Sequence, residues 1–462
     1  MRRRKRPPTH RKNATAAVSL AGKVSFFKTP CLCAWSSCPV NTWQLVMKPH
    51  VIVAGGGPAG LLTALLLGAR SVPTTVIEPT LSEEWSSRSY CINLNERGIA
   101  ALEAAGVLDA VKAAALERNA VVIHRSGGSE AVMPKSTQNL GLSRPALVDC
   151  LMQRVARCPH ITLSRGVSVV NVAGDLLRPP ARGPVRVGLD DGTTICASHI
   201  VGADGIRSAV RAAFSEDWCS TEPSDYACSI EQVPSWGVAL PTLASSPTTW
   251  RTDAMHAFKA STPDMPIYGI GMALPNGGCS VHLVIFDAAL VDRPWLEPPA
   301  LTKNGDTSAL ADAGWVEAPT SASASERVSA GLTDLLATEF PALAEHWSKD
   351  ALANAVVQRR PSWVDLTGAD GYAAADGRLV LVGDAAHAMS PSQGEGANCA
   401  LESAVALLAS LPPSTTDERP PSIDELSTAF ADYGRKRPAE VRPVQLASAA
   451  ASQGAGPAPS KK

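Results

Sequence analysis

Residues 51–67 read VIVAGGGPAGLLTALLL, and this stretch decides the fold. Val51–Val53 is a short apolar run typical of a buried parallel strand, and a leucine-rich helix is predicted to follow it. Between them, Gly55, Gly57 and Gly60 have the spacing G-x-G-x-x-G. Glycine at these places permits a sharp turn, close approach of a pyrophosphate and tight packing of helix on sheet. The helix N-terminus would attract the phosphates.

A second strand that ends in an acid strengthens this interpretation. Val76 and Ile77 are apolar, and Glu78 follows them, 18 residues after Gly60. A carboxylate at this place binds the ribose hydroxyls of an adenosine half. The pattern therefore predicts a dinucleotide site rather than an ordinary glycine-rich turn.

Composition excludes several classes of protein. The 462 residues are 45% hydrophobic, which is enough for two or three cores. Residues 1–46 contain nine Lys and Arg residues and no acid, and the net charge of the whole chain is −1. Residues 47–462 therefore have a net charge of about −10, which makes them a poor nucleic-acid binder. The eleven cysteines are scattered, which indicates neither a disulfide framework nor a metal site. Val51–Ala69 is uncharged, but its glycines and proline interrupt a helix, so no transmembrane segment is expected.

The two ends of the chain differ from its body. Residues 1–46 begin MRRRKRPP and contain no acid, which is typical of an organelle transit segment for a chloroplast or mitochondrion. A basic nuclear-type run and a true start at Met47 are the alternatives, and a start at Met47 would leave a cytoplasmic protein. Residues 441–462 are rich in Ala, Ser, Gly and Pro and predict a disordered tail.

The middle of the chain predicts a second domain. Tyr268–Leu274 and Cys279–Phe286 have the pattern of a hairpin, which indicates an antiparallel sheet. We therefore expect an α/β protein with an α+β insert. Its Rossmann-like domain would comprise residues 47–225 and 355–440, and an antiparallel-sheet substrate domain with a connecting segment would comprise residues 226–354.

Two later segments repeat the order of strand, turn and helix. Asp204–Gly205 follows the apolar Ile200–Ala203, and Gly383–Asp384 follows Leu379–Val382, with a helix expected to begin near Gly394–Asn398. Glycines and helix N-termini that converge from distant parts of the sequence suit a ligand with phosphates and a polyol chain. FAD is such a ligand.

Three motifs together resemble the single-component flavoprotein aromatic hydroxylases: GGGPAG with Glu78, GADGIRSAVR, and GDAAHAMSPSQGEGAN. The resemblance covers about residues 50–440 and implies FAD as cofactor. It assigns the ADP half to Gly55, Gly57, Gly60 and Glu78, and further FAD contacts to Arg144. Asp204, Gly205 and Arg211 would serve both FAD and the nicotinamide cofactor, and Gly383 and Asp384 the ribityl chain. Pro391, Gly394, Gly396, Ala397 and Asn398 would flank the isoalloxazine, and Arg88 would lie near flavin and substrate.

The resemblance also implies a reaction. NAD(P)H would reduce FAD, dioxygen would form a flavin C4a-hydroperoxide, and a small aromatic substrate would be hydroxylated. Arg88 is the candidate cation for a substrate carboxylate, and Pro391 is placed beside the reacting ring. His387, in the last motif, is expected to pack rather than to catalyse.

Within the family, RSYCINLNERGIAALEAAGV resembles the kynurenine 3-monooxygenases. Those enzymes carry Pro-Phe-Phe-Gly-Gln-Gly-Met-Asn where this chain has Pro391–Asn398, PSQGEGAN, so the substrate is left open. The alternatives are a monooxygenase of the same fold acting on a phenolic, polyketide or alkene substrate, and a flavin-binding protein without turnover.

Overall fold

The computed structural model describes residues 48–80, 91–125, 128–173, 184–216, 227–232, 235–262, 265–286, 289, 295, 322–358, 361–367, 371–411 and 419–452. The predicted leader, residues 1–46, and Arg88 lie outside the described residues.

A six-stranded sheet forms the first layer and is parallel except at one edge strand. Its order is β18, β19, β10, β1, β2, β6, so the first strand of the chain lies near the middle, as expected of a Rossmann-like sheet. The central strand β1 is completely buried, which explains its unbroken apolar run. The strands are β1 Val51–Ala54, β2 Thr74–Glu78, β6 Ile161–Arg165, β10 His199–Gly202, β18 Ala373–Ala374 and β19 Leu379–Leu381.

Helices pack on this sheet and share one hydrophobic core with it. Helix α1 follows the first turn and is buried along nearly its whole length, because it packs against the sheet and against two other helices, α4 and α10. The helices of this core are α1 Pro58–Gly68, α2 Glu96–Ala104, α3 Leu108–Ala113, α4 Arg144–Val155, α5 Ala209–Glu216, α9 Asp384–His387, α10 Gly396–Leu407 and α11 Ile423–Ser452.

A second, eight-stranded sheet is antiparallel except for one parallel pair, β4 with β13. One of its faces is buried and packs on α6, and Val281, Leu283 and Ile285 alternate on that face with half-buried residues on the other. The predicted hairpin is present as β14 and β15. The strands are β3 Cys91–Leu94, β4 Leu116–His124, β5 Glu130–Ser143, β12 Ser235–Ala239, β13 Ala254–Lys259, β14 Ile267–Ala273, β15 Cys279–Phe286 and β16 Val356–Gln358, with helices α6 Ala322–Glu339, α7 Pro341–Ala344 and α8 Lys349–Leu352 beside them.

Two small sheets complete the described architecture: β7 Val169–Ala173, β8 Val185–Leu189 and β9 Thr194–Ala197 form one, and β11 Ala227–Gln232 with β17 Pro361–Thr367 forms the other. Within the described residues, no helix has both the length and the apolar content needed to cross a bilayer.

The structure differs from the sequence expectations in two places. Strands β3, β4 and β5 lie in residues 91–143 but pair into the eight-stranded sheet, so that sheet is built from both sides of the expected boundary near residue 226. Helix α11 also continues to Ser452, whereas composition predicted disorder from residue 441. Gln445 is buried there and donates to the carbonyls of Val364 and Ala388, which accounts for the order.

Candidate functional site

The six-stranded sheet brings the three predicted turns to one edge. Ala54, Gly202 and Leu381 stand in one row, because β1 pairs in parallel with β10 and β10 with β19. The turns that follow these residues therefore leave the sheet side by side at the carboxyl ends of its strands. Ligands of open α/β sheets bind at this edge.

The first turn holds two glycines that the fold requires and one that faces open space. A Cβ on Gly55, whose φ is +98°, would lie 2.3 Å from the carbonyl oxygen of Ala203, and a Cβ on Gly60 would lie 2.0 Å from that of Gly55. A Cβ on Gly57 would meet nothing closer than Nη2 of Arg144, at 3.8 Å. The space beside Gly57 is thus open, and a guanidinium lies next to it, as a pyrophosphate site needs.

Glu78 is buried at the end of β2 and closes the turn from the other side. Its carboxylate accepts hydrogen bonds from the backbone N–H of Gly56 at 2.5 Å and of Thr80 at 2.7 Å. A carboxylate has about four acceptor sites, so two remain for ribose hydroxyls. Binding of the ribose by Glu78 stays a prediction.

Asp204 carries an acceptor atom that lacks a partner among the described residues. Its Oδ2 accepts from the N–H groups of Ala209 at 2.8 Å and Val210 at 3.3 Å, while Oδ1 is buried without a hydrogen bond. Burial raises the pKa of the Asp204 carboxyl, and hydrogen bonding from the Ser208 side chain and from backbone N–H groups opposes the shift. An unsatisfied buried acceptor is costly, so this atom suits a donor from a ligand. Gly205, with φ of +77°, has open space where a Cβ would be.

Arg211 supports this turn from within the core. Its guanidinium donates to the carbonyl of Ala385 in α9 at 2.8 Å and also to the carbonyl of Ile206. The side chain is 5% exposed. Arg211 therefore holds the second turn against the third, and its contact with a nicotinamide cofactor stays a prediction.

The third turn presents an exposed carboxylate. Gly383 has φ of +61°, and its Cβ position lies between the side chains of Ala59 at 3.2 Å and Ala400 at 3.3 Å. Asp384 follows as the first residue of α9 and is exposed, while Ala385 and Ala386 are buried. Asp384 is thus placed where α1 and α10 meet the end of β19.

The segment after α9 ends in the N-terminus of α10. Pro391–Gln393 form a 3₁₀ turn, Gly394 is left-handed with φ of +67°, and no side chain caps the helix that begins at Gly396. The N–H groups of Gly396, Ala397 and Asn398 have no intrahelical partner and could meet the electron-rich edge of a flavin. Ser392, where the kynurenine enzymes carry phenylalanine, donates instead to the carbonyl of Ser448 in α11 at 2.5 Å.

Asn398 has a structural role in addition to the predicted one. Its amide is buried: Oδ1 accepts from the N–H of Asn95 at 3.0 Å, and Nδ2 donates to the carbonyl oxygens of Asn93 at 3.0 Å and Gly394 at 3.2 Å. A Cβ on Gly98 would lie 2.4 Å from Oδ1 of Asn398. The start of α10 is therefore fixed to the junction of β3 and α2.

Sequence reasoning missed the ion pair at the same junction. Arg97 Nη2 lies 2.5 Å from Glu395 Oε2, and Asn95 Nδ2 donates to both carboxylate oxygens, at 3.0 and 3.2 Å. These partners are about 300 residues apart, so no local signal links them.

His387 lies in the core, 1% exposed. Arg437 Nε donates to Ser403 Oγ at 3.0 Å, and His387 Nε2 is hydrogen-bonded to the same hydroxyl at 2.8 Å. Burial, helped by the nearby Arg437 charge, lowers the pKa of His387 to about 3. The ring is therefore neutral at pH 7, and a packing role fits it.

We expect His387→Gln to flatten the pH dependence of stability in acid. The folded protein leaves this ring uncharged down to about pH 3, whereas the unfolded chain protonates it below about pH 6.5. Stability from this group is thus complete above pH 6.5 and is lost as pH falls toward 3. Between pH 4 and 7, the free energy of unfolding measured with urea should fall less steeply with falling pH in the variant than in the wild type, by up to about 1.4 kcal/mol per pH unit. An unchanged slope would contradict the neutral, buried ring.

The residues at this edge fit FAD. Open space beside Gly57, the unpaired Oδ1 of Asp204, the exposed Asp384 and the uncapped N-terminus of α10 offer the contacts that phosphates, hydroxyls and a flavin ring require. No group of His, Cys, Asp and Glu within the described ranges could hold a metal ion. A surface groove between Ala373 and Arg435 contains none of the predicted site residues.

The eight-stranded sheet meets this edge through β3. At the end of β3, Asn93 and the following Asn95 contact Asn398. At the start of β3, Cys91 Sγ lies 3.0 Å from Ser280 Oγ of β15. Ser280 belongs to the half-buried face of the sheet, which is otherwise largely apolar. Its cross-strand partner is Met272, and His282 stands next to it along β15 on the same face; Met255, Ala257, Tyr268, Ile270 and Val284 are further residues of that face.

Comparisons with known proteins agree with this geometry. The model of the family described as FAD binding domain matches residues 48–240 and 341–426. Kynurenine 3-monooxygenase from Dictyostelium discoideum is 26% identical over 86% of this chain and 77% of its own length. The enzyme of the same name from Xanthomonas campestris pv. campestris (strain 8004) is 27% identical over 85% and 76%.

Two solved structures share the fold. Pseudomonas aeruginosa PqsL in complex with 2-aminobenzoylacetate has a TM-score of 0.60 at 19% identity, over 87% of this chain and 96% of that one. A variant of Klebsiella pneumoniae HpxO complexed with FAD has a TM-score of 0.61 at 17% identity, over 88% and 90%. The α/β architecture predicted from the sequence is thus confirmed.

Proposed function

The chain belongs to the FAD binding domain family and is a flavoprotein monooxygenase that acts on aromatic compounds, and we propose that its substrate is an aromatic amino acid of the kynurenine type. NAD(P)H is the electron donor, and in this proposal dioxygen supplies the oxygen atom. The observation that carries the proposal is β3, which joins the FAD edge to a half-buried apolar sheet face. The kynurenine 3-monooxygenases that the chain resembles support the substrate class.

The described residues have distinct roles in this proposal. When bound, FAD supplies the redox chemistry, taking electrons from NAD(P)H and passing oxygen from dioxygen to the ring. Gly57 and Arg144 would hold the pyrophosphate, Glu78 the ribose and Asp384 the ribityl chain. Pro391 and the first residues of α10 would position the isoalloxazine, and Arg211 would keep the second and third turns together.

The sheet face would hold the aromatic ring. Its apolar residues, Met255 and Ile270 among them, would pack on the ring and keep water away from the reacting atoms. Ser280 and Cys91 would form a polar end to this surface. A dry pocket favours oxygen transfer over release of hydrogen peroxide.

Arg88 remains our candidate for the substrate carboxylate. It precedes Cys91 by three residues, and three residues of extended chain span at most about 10 Å. Cys91 contacts Ser280, so by chain length alone an arginine three positions earlier could reach the sheet face. A guanidinium offers a fixed fork of donors to a carboxylate that must enter a partly dry pocket.

The test is a substrate panel with product identification on the FAD-loaded enzyme. We expect kynurenine-type amino acids to stimulate NAD(P)H oxidation and to give a ring-hydroxylated product. Arg88→Ala should weaken substrate binding by about 2–5 kcal/mol and release hydrogen peroxide, while FAD content is retained. Arg88→Lys keeps the charge but not the fork and should raise KM less.

Other outcomes select the alternatives. If only phenolic, polyketide or alkene compounds stimulate NAD(P)H oxidation, the substrate belongs to one of those classes and not to the kynurenine type. A yellow protein that oxidises no NAD(P)H with any compound would indicate a flavin-binding protein without turnover. Loss of FAD from Arg88→Ala, with KM unchanged, would indicate that this arginine binds the flavin and not the substrate.

A further inference from the structure

Glu395 stands immediately before α10 but does not cap it. Its backbone occupies the N-cap position, with φ of −88° and ψ of −17°, and the helix has no side-chain cap. A carboxylate at this place is attracted by the free N–H groups and by the positive end of the helix dipole. The absence of a capping bond from Glu395 therefore needs a cause.

The cause lies on α2. Arg97 Nη2 is 2.5 Å from Glu395 Oε2, and Asn95 Nδ2 donates to Oε2 at 3.0 Å and to Oε1 at 3.2 Å. The two charged side chains are about a quarter exposed, at 30% for Arg97 and 23% for Glu395. Lys135 of β5 is a further cation close enough to interact with Glu395. The carboxylate thus has its partners at the start of α2 and does not cap its own helix.

Asn95 and Arg97 are themselves fixed. Asn95 caps α2 by accepting from the N–H of Arg97 at 3.1 Å, and its own N–H donates to Asn398. Arg97 Nη1 also lies 3.4 Å from Glu402, which has a closer partner in Arg437 at 2.6 Å. Removal of Arg97 therefore leaves Glu402 paired but takes from Glu395 its ion-pair partner, so that the hydrogen bonds of Asn95 and the charge of Lys135 are what still restrain it.

We propose that Arg97 and Asn95 are positioning residues that hold the Glu395 carboxylate away from the N-terminus of α10, so that its N–H groups remain open to the flavin. This inference rests on the proposed function, which places the isoalloxazine at that helix end. Without the restraint, the Glu395 carboxylate competes with the flavin for the same donors. A neutral side chain at position 395 requires no restraint, because an amide carries no net charge to be attracted by the dipole.

The test is FAD titration of the full-length apoprotein of three variants. Arg97→Gln should lower FAD affinity about tenfold, which is within the range for a charge at a helix end. Glu395→Gln alone should bind FAD as the wild type does. The double variant Arg97→Gln/Glu395→Gln should recover the affinity of Glu395→Gln, because no carboxylate is left to compete.

A control and a second variant keep the test decisive. Arg251→Gln breaks another ion pair, with Asp253 at 2.8 Å, and should leave FAD affinity unchanged. If Arg97→Gln does not fold, Arg97→Met, which also removes the charge but keeps a long side chain, makes the same comparison with and without Glu395→Gln. Equal losses in Arg97→Gln and Glu395→Gln without recovery in the double variant would mean a simple structural clamp and would overturn the inference. Failure of the wild type to bind FAD would instead overturn the proposed function.

Discussion

Asp384→Ala is expected to purify with little FAD. Asp384 is exposed at the first residue of α9, while Gly383 before it is enclosed by Ala59 and Ala400 in the N-terminal halves of α1 and α10. A carboxylate in this position can accept hydroxyl donors of the ribityl chain through charge-assisted hydrogen bonds. Such bonds contribute about 1.5–3 kcal/mol, so FAD affinity should fall about ten- to a hundredfold.

Flavin occupancy after purification and FAD titration of the apoprotein measure this loss. Asp109→Ala is a matched control, because Asp109 is also an exposed acid in the first turn of a short helix, α3, but lies outside the predicted site. The control should retain full flavin. Asp384→Ala with unchanged occupancy would remove the ribityl assignment from this turn.

Local patterns predicted much of the edge that forms the site. The spacing of Ile99, Leu102 and Ala105 predicts a helix over Glu96–Ala105, and α2 ends one residue earlier, at Ala104. The hairpin strands agree with β14 and β15 to within one residue. These segments are fixed by their own signals: Asn95 caps the helix and Gly277, with φ of +84°, lies in the hairpin turn. Short-range chemistry determines them, so a single sequence contains the information.

Contacts between distant segments could not be predicted in this way. Arg97 with Glu395, and Asn398 with Asn93, join residues about 300 positions apart. Position 395 reads as one more polar residue in a glycine-rich turn, and only the packed structure shows that its charge is restrained. The pairing of β3–β5 with the later strands of the eight-stranded sheet also depends on contacts between distant parts of the chain.

Helix α11 shows how tertiary contacts override composition. Pro438 and Pro443 lie inside it, and its last turns are rich in Ala and Ser, which favours disorder in isolation. Gln445 and the carbonyl of Ser448 nevertheless bind the segments around Ala388 and Ser392. The end of this helix thus contacts the segment that leads to α10.

Gly57→Ala and Gly60→Ala are expected to separate binding from folding within one motif. At Gly57, φ is −71° and the nearest atom to an added Cβ is Arg144 Nη2 at 3.8 Å, so the apoprotein should unfold as the wild type does. The methyl group would occupy the space that a pyrophosphate needs, and FAD affinity should fall by tenfold or more, which is about 1.4 kcal/mol.

At Gly60, an added Cβ would lie 2.0 Å from the carbonyl oxygen of Gly55 and 3.2 Å from the side chain of Ala203. The first two turns would have to move apart, so the apoprotein should lose about 1–3 kcal/mol of unfolding free energy in addition to its FAD. Urea unfolding of both apoproteins and FAD titration make the comparison. Full FAD affinity in Gly57→Ala would mean that the phosphates bind elsewhere. Wild-type stability in Gly60→Ala would mean that α1 does not approach the turn as closely as the structure indicates.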